Sequence, residues 1–236
     1  MRIFEQQTFD GLLDRDSAKT FSEMELRRCH FQSCVLSIAD EPRNRSTVRN
    51  VRLVESSQLG CTVYGAIVDD VLVDGLNTNG QLLRTWGAVF NRVVLRGKID
   101  PLMISNEVLP SVLRVEADRQ REIEAFRTAN AEYYKCVEWA LDISRGEFKE
   151  LDIRGVPTHQ IRYDSETQAI VTREKALQGH WRELDFLENL WPTALELFLR
   201  RGEPSTVLVA AKRHAKFCRY LDDLRLLRKA GVAEPE

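Results

Sequence analysis

Met24-Glu25-Leu26-Arg27-Arg28, Cys29-His30-Phe31-Gln32-Ser33 and Cys34-Val35-Leu36-Ser37-Ile38 are consecutive blocks of five residues. Each opens on a small or apolar residue and carries Leu or Phe two places later, and the first two close on a polar pair. The beat returns in phase over residues 46–75, where Ser46/Val48, Val51/Leu53, Cys61/Val63, Ala66/Val68 and Val71/Val73 fill the same two slots. Only the block at Ser56 departs from it. Ala88/Phe90 and Val93/Leu95 continue the pattern, and Leu151/Ile153 is a remnant further along.

A period of five fits neither the 3.6-residue repeat of a helix nor the alternation of a half-buried strand, so a turn recurs every few residues and the chain coils. So short a unit cannot bury its own apolar residues; it stacks on its neighbours to make a continuous core. The step from Val51 to Val71 is 20 residues, four blocks. The stretch 64–75 aligns with 86–97 at an offset of 22, which places a small insertion with irregular corners at residues 77–80.

Over roughly the first hundred residues this pattern resembles the pentapeptide-repeat family. The resemblance implies a right-handed quadrilateral β-helix in which the first and third residues of each block point inward. Leu26, Phe31, Leu36, Leu53, Val73 and Leu95 are then expected to be buried, with Arg27, Gln32, Arg52 and Asp74 outside. A β-sandwich or roll of ordinary strands is the alternative architecture, because alternation and glycine turns look partly alike in both.

Beyond Asp100-Pro101 the pattern breaks, and from Pro110 the chain reads as a helical insertion over about residues 110–137, with Val112, Val115, Ile123, Phe126, Tyr133 and Val137 keeping a helical stripe. Trp139–Ile143 and Glu150–Arg154 repeat a strand-like phrase, which either resumes the coil or caps its open end. Residues 157–236 read as a second region: a β-hairpin of 160–164 with 168–173, then helices. Phe186/Leu187, Leu190/Trp191, Ala194/Leu195 and Phe198/Leu199 give one broad apolar face, with a break or fresh start at Pro192 and an end at Gly202 and Pro204. The last segment is expected to be helical, with Phe217, Tyr220, Leu221, Leu224 and Leu227 on one face and a strand at 206–209 as the alternative. The expected class is α+β: a β-solenoid with a helical insertion over residues 1–156, and a hairpin with helices over 157–236.

The formal net charge of −2 argues against a strongly basic nucleic-acid binder and against an acidic solvating tail. The N-terminus has no apolar run followed by a cleavage site, and no segment approaches bilayer length, so a cytoplasmic protein without a membrane span is expected. Cys29, Cys34 and Cys61 share the inward slot while His30 falls on an outward one, which opposes thiol and imidazole rather than joining them on a metal. Cys136 and Cys218 are isolated, and an odd count of five argues against a disulfide framework. No metal or cofactor is expected.

No nucleophile elbow, P-loop, HExxH or dinucleotide fingerprint accompanies His159, Tyr163, Asp164, His180, Arg182 and Glu183. The favoured function is therefore a non-enzymatic protein-binding module, of the kind a bacterial immunity or inhibitor protein uses to cover a partner's working surface. The pentapeptide-repeat family includes proteins that protect DNA gyrase by imitating duplex DNA. This chain departs from them, because Arg27, Arg28, Arg43, Arg45, Arg49, Arg52, Arg92 and Arg96 interrupt any acidic stripe. Candidate binding residues are Arg49, Arg52, Arg92 and Arg96 on the coil and Lys212, Lys216 and Arg219 at helical spacing near the C-terminus. One alternative is an enzyme or enzyme subunit with a site between the coil and the C-terminal helices, drawing on His159, Asp164 or His180. Another is association with nucleic acid through the basic C-terminal helix. Self-association fits either class.

Overall fold

In the computed structural model, which describes residues 1–108 and 119–234, left-handed φ angles recur at intervals of five. They fall at Gln6, Gly11 and Asp16; at Glu23, Arg28 and Ser33; at Asn50, Glu55, Gly60, Gly65, Asp70, Gly75 and Gly80; and at Gly87, Arg92 and Gly97, while Ala18, Ser37 and Asn79 are left-handed off that beat. The positions on the beat are the fifth residues of the blocks, and the block at Ser56 keeps the rhythm through Gly60 although its composition does not. A left-handed backbone costs an L-residue roughly 1–2 kcal/mol. The corner amides offset that cost by bonding to the adjacent layer: Gln6 N–H to Arg27 O (2.9 Å), Arg28 N–H to Val54 O (2.8 Å) and Gly87 N–H to Ser105 O (2.8 Å).

Between corners the chain is extended, and the strands come in layers. The first holds β1 (Arg2–Glu5), β2 (Thr8–Asp10) and β3 (Leu13–Arg15), and the second β4 (Thr20–Arg27), β5 (His30–Gln32) and β6 (Val35–Ile38). Next come β7 (Thr47–Leu59) with β8 (Thr62–Tyr64), β9 (Ile67–Asn77) with β10 (Leu83–Trp86), and β11 (Val89–Ile99) with β12 (Leu102–Ser105). The strands β7, β9 and β11 turn corners within their own length, at Asn50 and Glu55, Asp70 and Gly75, and Arg92 and Gly97. All pairing in this part is parallel. One ladder runs Arg2, Met24, Val51, Val71, Val93 in one sheet, and another runs Leu36, Val63, Thr85, Ile104 in the second. Purely parallel pairing sets this part of the molecule apart from the antiparallel strands of an ordinary β-sandwich.

The helix α1 (Arg119–Lys135) interrupts the layers without ending them. The portion of the expected insertion with Pro110, Val112 and Val115 lies outside the described residues. After α1 the chain returns to both sheets: β13 (Leu141–Asp142) and β14 (Gly146–Phe148) pair with β11, and β15 (Leu151–Arg154) pairs with β12. The strand β16 (Ile161–Arg162) adds one more rung beside β13.

That rung overturns the expected hairpin. Ile161–Arg162 belongs to the layered sheet, and β17 (Gln168–Thr172) pairs instead with β18 (Ser205–Val209), antiparallel, across the intervening α2 (Arg173–Gln178) and α3 (Leu190–Arg201). Residues 206–209 are thus a strand and not helix; α4 (Phe217–Lys229) carries the expected apolar face. The pairing follows from side-chain alternation: Ile170, Val207 and Val209 face the layered core, while Ala169, Val171, Leu208 and Ala210 face a second core. That second core is built on Trp181, Trp191, Leu195, Phe198, Leu224 and Leu227. Pro192 sits in the first turn of α3, where no intrahelical N–H bond is lost, and Gly202 at φ +76° ends the helix. Phe186 and Leu187 precede α3 and are not part of its face.

The first-slot residues Cys29, Ser46, Ser56, Ala66 and Ala88 are at most 1% exposed. Of the six expected third-slot core residues, only Leu95 is fully buried; Leu26, Phe31, Leu36, Leu53 and Val73 are half-buried. Leu95 lies in the layer enclosed by β13, β14 and α1, whereas the early layers lack that cover. Arg27, Gln32 and Arg52 are exposed, and Asp74 is half-buried because it accepts Arg96. Leu95→Ala is expected to cost about 2–5 kcal/mol in a denaturant titration, and Phe31→Ala less than the ~3–5 kcal/mol of a fully buried Phe, since Phe31 keeps a solvent-facing side while stacking on Phe9. At the exposed corner Glu55 (φ +46°) the same titration should show Glu55→Gly raising stability and Glu55→Val lowering it by roughly 1–2 kcal/mol.

Candidate protein-binding groove

The arginines of the sheet face are held by the sheet's own carboxylates. Asp69, buried, accepts Arg49 Nε at 2.9 Å on Oδ2, and Arg92 (2.8 Å) and Asn91 (2.9 Å) on Oδ1. Arg96 donates twice to Asp74, at 2.9 and 2.7 Å. Arg52 is exposed beside Glu25, whose carboxyl is held below its ordinary range first by the Arg27 hydrogen bond and only weakly by Arg52. Arg49, Arg52, Arg92 and Arg96 therefore share one sheet, yet three of them are engaged within it.

The expected basic stripe near the C-terminus does not form. Lys212 and Lys216 precede α4 in turns, and only Arg219 lies on the helix, because the chain leaves β18 through a tight turn pinned by Arg213 N–H to Phe148 O at 2.9 Å. Lys212 pairs with Asp164 at 2.8 Å, and Lys216 and Arg219 both reach Glu188, at 2.7 and 3.0 Å. These two cations hold the Glu188 carboxyl below its usual range, Lys216 the more strongly.

His159, Asp164 and His180 are not brought together. His159 is exposed in a short turn, and His180 is exposed beside Glu183 at 3.4 Å. Asp164 organises its own turn by accepting Thr167 Oγ1 and Lys212 Nζ, both at 2.8 Å, and the Glu166 amide at 3.0 Å. Partial burial works against ionisation there, but those hydrogen bonds prevail and keep the carboxyl below its ordinary range. Tyr163 packs against the layered core, and the Arg182 guanidinium lies 4.1 Å from the Trp181 ring centroid. Cys29 is buried, Cys34 and Cys61 half-buried, and His30 bonds Ser57 Oγ at 2.8 Å. Among the described residues no three His, Cys, Asp or Glu side chains gather where a metal could sit, and no helix is long and apolar enough to cross a membrane.

On the flank where α1 docks, Arg45 is 6% exposed, stacks 4.6 Å from the Phe126 ring centroid and donates to Asn130 Oδ1 at 2.6 Å. Burial lowers its pKa to about 10. Gly65 (φ +47°) lies directly under the Phe126 ring, where a Cβ would approach to 3.3 Å. This contact seats α1 on the layers.

A groove of about 380 Å³ opens at the other flank, between β15 and the C-terminal elements. Its walls are β15, the outermost strand of the second sheet, and β18, which pairs only with β17. Leu151, Trp191, Ala194, Val207, Val209 and Tyr220 supply apolar lining. Leu190 (38% exposed) and Leu197 (43%) stand one above the other on α3 and extend that lining toward solvent. The Trp191 indole is fixed by its N–H to Tyr220 O at 2.9 Å, and His214 stacks on the Tyr220 ring at 4.8 Å between centroids. Elsewhere the C-terminal elements are tied to the layers by Thr158 Oγ1 to Ser205 Oγ at 2.7 Å and by the Arg213–Asp100 pair at 3.0 Å.

Charges gather where β15 finishes. Arg154 Nε donates to Asp152 Oδ2 at 2.8 Å, and Arg201 Nε to Glu203 Oε1 at 3.2 Å. Burial raises the Glu203 carboxyl above its ordinary range despite Arg201, and the negative charges of Glu107 and Asp152 push the same way.

None of Arg49, Arg52, Arg92, Arg96, Lys212, Lys216, Arg219, His159, Asp164 and His180 lines this groove. Polar residues that catch the eye in sequence are mostly consumed by intramolecular pairs, whereas Leu190 and Leu197 look like ordinary core positions. Their signal was the width of the apolar face on α3, more than one packing partner covers. No protein-family model matches the chain, and no curated protein matches it.

The folded state holds the Glu203 proton more tightly than the unfolded chain does. Its contribution to stability is full below the ordinary value of 4.5 and is lost as pH rises through the raised one. Glu203→Gln should therefore raise the thermal midpoint at neutral pH, with the gain over the parent protein shrinking as pH falls through the raised value toward 4.5 and vanishing below it.

Proposed function

We propose that this chain is a protein-binding module: a β-solenoid of the pentapeptide-repeat kind whose end is covered by a helical cap, with the groove between them as the contact surface. The five-residue recurrence of left-handed corners and the stacked parallel ladders support the solenoid reading. The observation that carries the functional reading is the groove itself, an apolar trough with an exposed leucine wall, Leu190 and Leu197, beside two fixed aromatic side chains. A rigid stack with a rigid cap presents such a surface at low entropic cost, since little has to be ordered on binding. The biological form we favour is an immunity or inhibitor protein that covers a partner's working surface.

Affinity capture from a lysate of the source organism, using the full chain and its Leu197→Glu variant, tests this reading. Leu197 is 43% exposed, so the charge is tolerated by the fold. A stoichiometric protein partner held by the parent chain and lost from the variant is the expected result. Equal capture by both, or no specific protein with either, would overturn it.

A further inference from the structure

We infer that the exposed stripe of α3 is a seam for self-association, on which a second copy of this chain docks about a two-fold axis with its own α3 antiparallel. This rests on the protein-binding reading above and names a partner for that surface, the chain itself. Leu190, Thr193, Ala194 and Leu197 recur at helical spacing and share one side of α3, while Trp191, Leu195 and Phe198 turn a different side into the second core. Leu190 and Leu197 are 38% and 43% exposed, Thr193 is exposed and Ala194 half-buried. The stripe also forms one wall of the groove, so apolar surface continues from it to Leu151, Val207 and Val209. Contiguous solvent-facing apolar surface of this kind marks a contact site.

The stripe is its own complement. Counting outward from the midpoint between Thr193 and Ala194, each direction meets a small residue first and a leucine three positions further on. An antiparallel pair centred there sets Leu190 of each copy against Leu197 of the other and Thr193 against Ala194, which is the match a two-fold interface demands of a single patch. Small side chains at the crossing let the helix axes come close enough for the flanking leucines to interlock. The stripe itself carries no charge. Antiparallel packing lays the Arg200 end of each helix, where Arg200 is exposed and reaches Glu196 at 3.8 Å, over the end of the other that follows the exposed Asp185. Glu188 at that end is already met by Lys216 and Arg219 of its own chain. A parallel pair would place Arg200 beside Arg200 and align the two helix dipoles. The 12 residues of α3 make a seam about 18 Å long. Such a seam falls below the roughly 800 Å² per partner of a standard stable interface, so the dimer dissociates on dilution.

Sedimentation velocity of the full chain over a concentration series, with Leu197→Glu and Leu190→Lys run alone and mixed, tests the seam and its direction together. The parent chain should pass from monomer to dimer as concentration rises. Each variant should weaken that association about ten-fold or more, with circular dichroism matching the parent's because both positions face solvent. Mixing the two variants should restore the dimer: the antiparallel register sets the introduced carboxylate against the introduced amine on one side of the axis and keeps the native leucine pair on the other. A parent chain that stays monomeric throughout, a dimer indifferent to both variants, or a mixture no more associated than either variant alone would sink the inference. If the parent is monomeric and the cellular partner is still lost from Leu197→Glu, the surface serves a different protein, and only the self-association inference falls.

Discussion

The layered part of this protein depends on left-handed corners, most of them spaced five residues apart. The corner is unfavourable for most residue types, and the chain supplies glycine at only some positions, using Glu55, Asp70 and Arg92 at others. It persists because each turn sets the next extended segment in register with the layer below, where the corner amide finds a carbonyl and the first-slot side chain finds the core. A single corner is a net cost; a stack of them, each bonded to its neighbour, is not. This also explains why the block at Ser56 survives its poor composition. Ser56 Oγ accepts the Cys29 amide at 3.1 Å, and Gln58 Oε1 accepts the Cys61 amide at 3.0 Å, so polar side chains are satisfied in slots that apolar ones fill elsewhere.

Stacking raises a second problem, how to finish. At the C-terminal end, the two-stranded sheet of β17 and β18 serves both cores, one face to the layers and one to the helices. Such an element lets a repeating architecture give way to an ordinary helical core without leaving apolar surface between them. Between β15 and the C-terminal elements a groove remains. At the opposite end Ile3, Leu12 and Leu13 are 57%, 55% and 64% exposed on the first layer, so apolar side chains there lie open as well.

Electrostatics follows the same economy. The arginines of β7 and β11 sit across from Asp69 and Asp74 in neighbouring layers, so charge on the sheet face is largely neutralised within it. Exposed ion pairs of this kind contribute little to stability, but they leave the face without a strong field of a single sign. The groove differs in offering apolar surface first, with its charges paired: Arg154 with Asp152 and Arg201 with Glu203.

The five-residue rhythm, its phase and the inward small residues were legible in the sequence, because each is a local constraint repeated many times over, whereas the strands after the helix could be read there either as resuming the layers or as capping them. The hairpin was misread, since Ile161 and the strand at 168–172 obey the same alternation whichever neighbour they take, and the choice was made by two cores competing for opposite faces of β17. The burial of Leu95, against the half-burial of Leu53 and Val73 in equivalent slots, likewise depended on which layers β13, β14 and α1 cover. The groove was decided by the tertiary structure: Leu151 on β15 lies far along the chain from Trp191 and Leu197 on α3 and from Val209 on β18, and nothing local marks it as their neighbour. Repetition writes a fold into sequence because the same physical condition must be met at every step, whereas a single surface formed where two cores meet needs to be met only once.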